Sequence, residues 1–170
     1  MHDVAPIYKK QATALGNLLA QGGHSLIWGG SDTGLMKVVA DAVQEEGGKI
    51  VGITMEKIKE TARKNTDELI VTKDLSERKM LMSERADAFV LLPGGIGSLN
   101  EITEILELKK HSFHNKPVVI FNIDGFYDGL HSQLGRMKRE GFIARALEDY
   151  MYFAENTRDV VKFIEKETED

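Results

Sequence analysis

Apolar residues recur along this chain with two alternating periods. Short continuous runs at 25–30 (SLIWGG), 49–54 (KIVGIT), 68–72 (ELIVT), 88–92, 117–123 (PVVIFNI) and 151–154 have the length and β-branched content of buried strands. Between them, stretches at about 5–21, 34–46, 75–86, 99–110, 127–140 and 157–167 carry apolar positions at helical spacing. Such alternation predicts an α/β protein, a doubly wound parallel sheet flanked by helices. There is no internal repeat, low-complexity tract or linker, so a single α/β domain is expected over residues 1–170. Only the tail EKETED, residues 165–170, is expected to fray.

Composition narrows the class. A chain of 170 residues can bury roughly 70% of the surface its unfolded form exposes, which needs no covalent staple. There are no cysteines, which excludes disulfides, thiolate metal sites, iron–sulfur clusters and a cysteine nucleophile. No apolar stretch approaches a membrane span and no basic-then-apolar leader follows Met1, so no membrane partner and a cytoplasmic location are expected. The net charge of −5, without a basic stripe, argues against nucleic acid as a partner. A single phosphorylated metabolite needs only a local pocket.

In doubly wound sheets, ligands bind beyond the carboxyl ends of the strands. Three loops there carry unusual chemistry. In FVLLPGGIGSLNE, residues 89–101, a buried strand runs into three glycines and then a helix. Ser98 and Glu101 stand at the spacing of an N-terminal capping box, which starts the helix at about residue 99. The loop is either a tight turn with an ordinary cap, or a place where free amides and a helix dipole meet a phosphate or carboxylate. WGGSDTGLM, residues 28–36, is a second strand–glycine–helix passage. It lacks the GxGxxG spacing, and the chain has no GxxxxGK[ST] loop, so nicotinamide cofactors and nucleoside triphosphates lose rank. In FNIDGFYDGL, residues 121–130, Asn122, Asp124, Phe126 and Tyr127 either line a base or sugar pocket or form a simple turn beneath a helix.

Individual side chains sharpen these choices. Arg78 and Lys79 fall on the apolar side of the helix at 75–86, beside Leu75, Met82 and Ala86. They either snorkel to water or deliver a guanidinium to phosphate or ribose hydroxyls. Glu101 is either a cap or a carboxylate facing the sugar of a ligand whose phosphate lies at the helix start. His111 and His114 lack a third ligand and are read as decorating a helix end, so no metal is expected. Neither a Ser–His–Asp grouping nor a lysine-linked pyridoxal site is supported.

PGGIGSLNE resembles the PGGxGTxxE signature of the Lonely Guy (LOG) family of cytokinin-activating nucleoside 5′-monophosphate phosphoribohydrolases, once labelled possible lysine decarboxylases. SERK at 76–79, WGGSDTGLM, NIDGFYDGL and EGFI are similar to further family motifs, in the family's order, from about residue 5 to residue 164. The resemblance implies a Rossmann-like fold and hydrolysis of the N-glycosidic bond of purine-type nucleoside 5′-monophosphates, with no cofactor. Carried onto this chain it implies a catalytic pair, Arg78 and Glu101, and a phosphate site at Gly94, Gly95, Ile96, Gly97 and Ser98. Substrate contacts are also implied for Lys79, Gly29, Gly30, Gly34 and Met82. A homodimer with sites near the interface is expected. The alternative on the same scaffold is a carrier that binds a nucleotide or molybdopterin-like ligand without turning it over, and lysine decarboxylation ranks last. Ser98 stands where the family has threonine, and Ser31 and Lys37 where it usually has glycine. Family members usually open with a strand and small-residue loop before the helix seen first here, so the sheet is expected to lack that strand.

Overall fold

The computed structural model describes residues 4–169. The six expected strands and six expected helices are all present, in the expected alternation. They are α1 (Pro6–Gln21), β1 (Leu26–Trp28), α2 (Gly34–Glu45), β2 (Ile50–Met55), β3 (Glu68–Thr72), α3 (Leu75–Arg85), β4 (Phe89–Leu91), α4 (Ile96–Lys110), β5 (Val118–Phe121), α5 (Asp128–Arg139), β6 (Tyr152–Ala154) and α6 (Thr157–Glu169). Short 3-10 segments intervene at Glu56–Thr61, Ile123–Gly125 and Leu147–Asp149. The α/β class with parallel sheets and flanking helices is as the periodicity predicts. The strands form two three-stranded parallel sheets, ordered β1-β2-β3 and β4-β5-β6. Among the described residues, α1 precedes β1. The chain divides into two compact units, one through Ala86 and one from Asp87.

In the first unit, β2 is the central strand, with Ile27 opposite Val51 and Ile53 opposite Ile70. Trp28, Ala40, Val43 and Ile50 make its core, joined by Leu26 and Ala20. Helices α1 and α2 approach closely because position 16 is glycine; a Cβ there would lie 2.6 Å from that of Ala42 and 2.8 Å from the Val39 carbonyl oxygen. In the second unit, β5 is central and all four of its residues are buried, as an apolar strand covered on both faces requires. Around it pack Leu91, Ile102, Ile105, Tyr127, Tyr150 and Met151.

Two boundaries differ from expectation. The tail expected to fray is helical as far as Glu169, with the Thr168 hydroxyl donating to the Ile164 carbonyl; Asp170 and the residues beside Met1 lie outside the described range. That helix continues because Val160, Val161 and Ile164 anchor it on a buried stripe. The second difference concerns α4. It begins at Ile96, with Gly95 as N-cap and no side-chain cap. The Leu99 amide donates to the Gly95 carbonyl, so the helical ladder is running before the expected start.

Burial sets the expected cost of truncation. Ile120 has no exposed surface, whereas Ile96 is 83% exposed. Ile120→Ala is expected to destabilise by about 2–5 kcal/mol, and Ile96→Ala by no more than about 0.5 kcal/mol. Urea unfolding of the two variants checks the contrast.

Candidate functional site

The start of α4 fixes what the glycine loop offers. An α-helix leaves its first amides without intrahelical acceptors. Here those include Ile96, Gly97 and Ser98, since Gly95 as N-cap brings no side-chain acceptor. The dipole adds partial positive charge at the same point. Gly95 and Gly97 do not adopt left-handed backbone, and a Cβ on either would meet nothing within 4 Å. Neither the fold nor the packing requires glycine there. Gly94 differs, because a Cβ would collide with the Ser98 side chain. The loop therefore has one glycine fitted to its neighbour and two that face open space, beside unused amides.

Glu101 is not the cap that its spacing from Ser98 predicts. With the helix starting at Ile96, Ser98 is already in the first turn and Glu101 lies a turn beyond it. The physical reason is that Gly95 can hold the extended N-cap conformation without a side-chain bond. Positions three and four residues apart share a helix face, so half-buried Glu101 stands above Gly97 and Ser98. Helical side chains lean back toward the N-terminus, which directs its carboxylate over the turn bearing the free amides.

The first unit has its own cluster. Arg78 is the buried residue of α3, at 8% exposure, and its Nε donates to the Ile53 carbonyl at 2.8 Å. Snorkelling to water is thereby excluded for Arg78. The helix carrying it is pinned at its start: the Asp74 carboxylate accepts from the Glu77 amide, and the Glu77 carboxylate accepts from the Lys73 amide. The true capping signal is thus D-x-x-E at Asp74–Glu77, which the sequence displays and the apolar-stripe reading passed over. Gly29 leaves room for the guanidinium, since a Cβ there would overlap it and come within 3.4 Å of the Met36 sulfur. Gly30 has φ +73° and packs against Gly52, Ile53 and Thr54. Lys79 and Met82 are half-buried on the same helix, and Gly34 opens α2.

Sequence reasoning missed Arg63. Its backbone amide donates to the Gly30 carbonyl at 2.8 Å, and its guanidinium donates to Asp32, Asp41 and Gln44. The Asp41 carboxyl lies below its usual range because hydrogen bonds from Lys37 and Arg63 and their charges outweigh its partial desolvation. Ser31 bridges antiparallel to Ala62, so the segment around Arg63 straps the first glycine loop to α2. Arg63 follows a 3-10 segment with no apolar period, so pattern alone gave no signal.

The loop after β5 resolves into two pairs. Asn122 and Tyr127 are buried, with the Asn122 side chain accepting from the Tyr127 amide at 2.6 Å and donating to Asp128 at 2.7 Å. They are structural, contrary to a direct pocket-lining role. Asp124 and Phe126 remain exposed, Asp124 in left-handed backbone at φ 53°. His111 ends α4 and bonds Glu107, as a helix-end decoration does. Among the described residues no three His, Cys, Asp or Glu side chains are grouped to hold a metal ion.

Comparison with known proteins is decisive about kinship. The profile of the family described as "Possible lysine decarboxylase" matches residues 36–164. The chain belongs to that family, the LOG family. It is 33% identical over 161 residues to the cytokinin riboside 5′-monophosphate phosphoribohydrolase LOG3 of Arabidopsis thaliana, covering 94% of this chain and 75% of that one. A Mycobacterium marinum protein of the same name is 33% identical over 89% of this chain and 82% of its own length. Among solved structures, the molybdenum cofactor binding protein of Rippkaea orientalis superposes with a TM-score of 0.74 at 22% identity, over 97% of this chain and 90% of that one. The molybdenum cofactor carrier protein of Chlamydomonas reinhardtii gives 0.74 at 20% identity, over 99% and 92%. These last two establish the fold. No helix among the described residues is long and apolar enough to cross a membrane.

Two expected outcomes follow from the geometry. Gly97→Ala adds a methyl group into open space within a helical turn, so stability should hold or rise by about 0.5 kcal/mol. Thermal unfolding of the variant and the parent checks this. The second concerns His114, whose Nε2 meets the Ile105 carbonyl and whose Nδ1 accepts from the Lys116 amide. Only the neutral ring satisfies both. Partial burial, with Lys109 and Lys116 nearby, holds its pKa below the ordinary 6.5 despite the opposing Ile105 bond. The unfolded chain then binds the proton more readily, so stability is lost as pH falls below about 6.5. His114→Gln should flatten the decline in Tm between pH 7.5 and 5.

Proposed function

We propose that this chain hydrolyses the N-glycosidic bond of purine-type nucleoside 5′-monophosphates, AMP or its N6-modified forms, to free base and ribose 5-phosphate. The observation that carries this reading is the first turn of α4: unused amides at Ile96, Gly97 and Ser98, open space above Gly95 and Gly97, and Glu101 one turn along. A phosphate would accept from those amides, and the rest of the ligand would extend past the carboxylate. The names borne by the Arabidopsis and Mycobacterium relatives support the same activity.

In the proposed reaction the bond from C1′ of the ribose to the base nitrogen breaks, the electron pair leaving with the base. Positive charge develops on the sugar, a water oxygen bonds to C1′, and the water's proton is released while the base is protonated. Glu101 is assigned the role of stabilising that charge and orienting the water. Arg78 is assigned to hold substrate oxygens through its planar fork of donors. Lys79, Gly29, Gly30, Gly34 and Met82 are assigned supporting contacts. No cofactor is needed for this chemistry. A homodimer working in the cytoplasm belongs to the same proposal, and sedimentation tests its assembly.

Incubation with AMP and an N6-modified AMP, with assay of free base and ribose 5-phosphate, tests the reaction. Glu101→Gln removes the charge but keeps the side chain's shape and much of its hydrogen-bonding capacity, so thermal stability should change little. Turnover should fall about a hundredfold or more. Hydrolysis at the parental rate would remove Glu101 from the mechanism. A parent that binds AMP but releases no base would instead favour the carrier reading, for which the cofactor-binding fold neighbours are the precedent.

A further inference from the structure

The loop that presents those amides has no hydrogen-bonded ladder to hold it. Strand β4 ends at Leu91, Pro93 has no N–H, and helical bonding resumes only with the Leu99 amide. The Leu92 carbonyl would be left without a strand partner just where the chain must turn. Its partner is the Tyr127 hydroxyl, which donates to it at 2.8 Å. The nearby Gly94 amide also acts on the same phenol oxygen, favouring its ionised form. One hydroxyl therefore holds the chain immediately before Pro93.

Tyr127 is itself held firmly. It is 4% exposed, within the core that contains Leu91, Ile102 and Ile105. Its ring meets Phe126 edge-on with centroids 4.8 Å apart. Its amide donates to the Asn122 side chain, and the Asn122 amide donates to the Ala154 carbonyl at 2.8 Å. Desolvation pushes the phenol's pKa up to about 12, outweighing the opposing influence of the Gly94 amide, so the proton needed to engage Leu92 is retained at all ordinary pH values.

We propose that Tyr127 is a positioning residue for the anion loop: by holding the Leu92 carbonyl where the chain leaves β4, it sets the direction in which the amides of Ile96, Gly97 and Ser98 face a phosphate group. Gly94 then serves the shape of the loop rather than contacting the ligand, and the phosphate contact lies in the first helical turn. The inference rests on the phosphate-binding reading of that turn. Its chemistry is specific to the hydroxyl, since phenylalanine would preserve the ring and its packing.

Tyr127→Phe tests it in the full chain. Calorimetric affinity should fall about five- to tenfold for AMP and by a similar factor for inorganic phosphate, the scale of losing one intramolecular hydrogen bond's hold on the loop. KM for AMP should rise by the same factor while kcat stays within about twofold. Ile164→Val, a core change on α6 away from the loop, supplies the comparison, losing stability without changing AMP affinity. Should Tyr127→Phe fail to fold, Asn122→Ser loosens the phenol's backbone anchor and should weaken AMP binding at least about twofold. Equal AMP affinity in Tyr127→Phe and parent, or a loss no greater than that of Ile164→Val, would overturn the positioning role while leaving the proposed activity standing. A parent that binds neither AMP nor phosphate would remove both.

Discussion

A helix that begins without a side-chain cap must leave its first amides to something else, and this constraint organises the second unit. Gly95 starts α4 three residues before the serine that could have capped it. The consequence is a cluster of donors at the end of a buried strand, which apolar packing cannot satisfy and which water or an anion can. Much nearby structure serves to keep that end in place. Ile102 and Ile105 bury the helix against the core, and Gly94 tucks beneath Ser98. Between β4 and the helix, the chain is tied by Tyr127 from the loop after β5.

The first unit solves a different problem, the burial of a cation. A charge taken from water is costly unless it is hydrogen-bonded. Arg78 meets that requirement in part through the Ile53 carbonyl, on a helix whose capped start fixes its reach. Gly29 yields space to the guanidinium, and the Arg63 strap holds the following residues. A protein needing only stability would replace such a residue by an apolar one at little cost. On the proposed reading, that buried guanidinium serves a ligand as well as the fold.

The elements were legible because their periods are strong: every strand and helix lies within a few residues of its expected place. What periodicity could not supply was the partner of each polar group. Ser98 and Glu101 match a capping box as well as Asp74 and Glu77 do, and only the backbone distinguishes them. Gly95 is invisible as an N-cap because it has no side chain with which to signal. Asn122 and Tyr127 read as pocket lining because polar and aromatic types suit a ligand; their actual partners are backbone groups and the Asp128 carboxylate, up to 35 residues away in sequence. Arg63 had no pattern at all. Residue type announces capacity for a hydrogen bond, whereas the fold alone determines who receives it.

On the proposed reading, the position of Glu101 answers an apparent contradiction. A carboxylate near an anion site repels the ligand that the amides attract. Five residues beyond Ile96, it stands about 7.5 Å farther along the helix axis. With the side chain leaning back toward that turn the charges come to roughly 6 Å, and at an effective dielectric near 20 they repel by about 3 kcal/mol, against several amide donors and the helix dipole. The phosphate can therefore be held while the carboxylate reduces affinity for the uncleaved nucleotide. As the glycosidic bond stretches, the sugar beneath the carboxylate becomes cationic and the same charge turns attractive. An interaction unfavourable in the ground state and favourable in the transition state lowers the barrier more than one that is favourable throughout. A capping role would have spent that charge on the fold in both states alike; on the proposed reading its place one helical turn along lets the charge distinguish them.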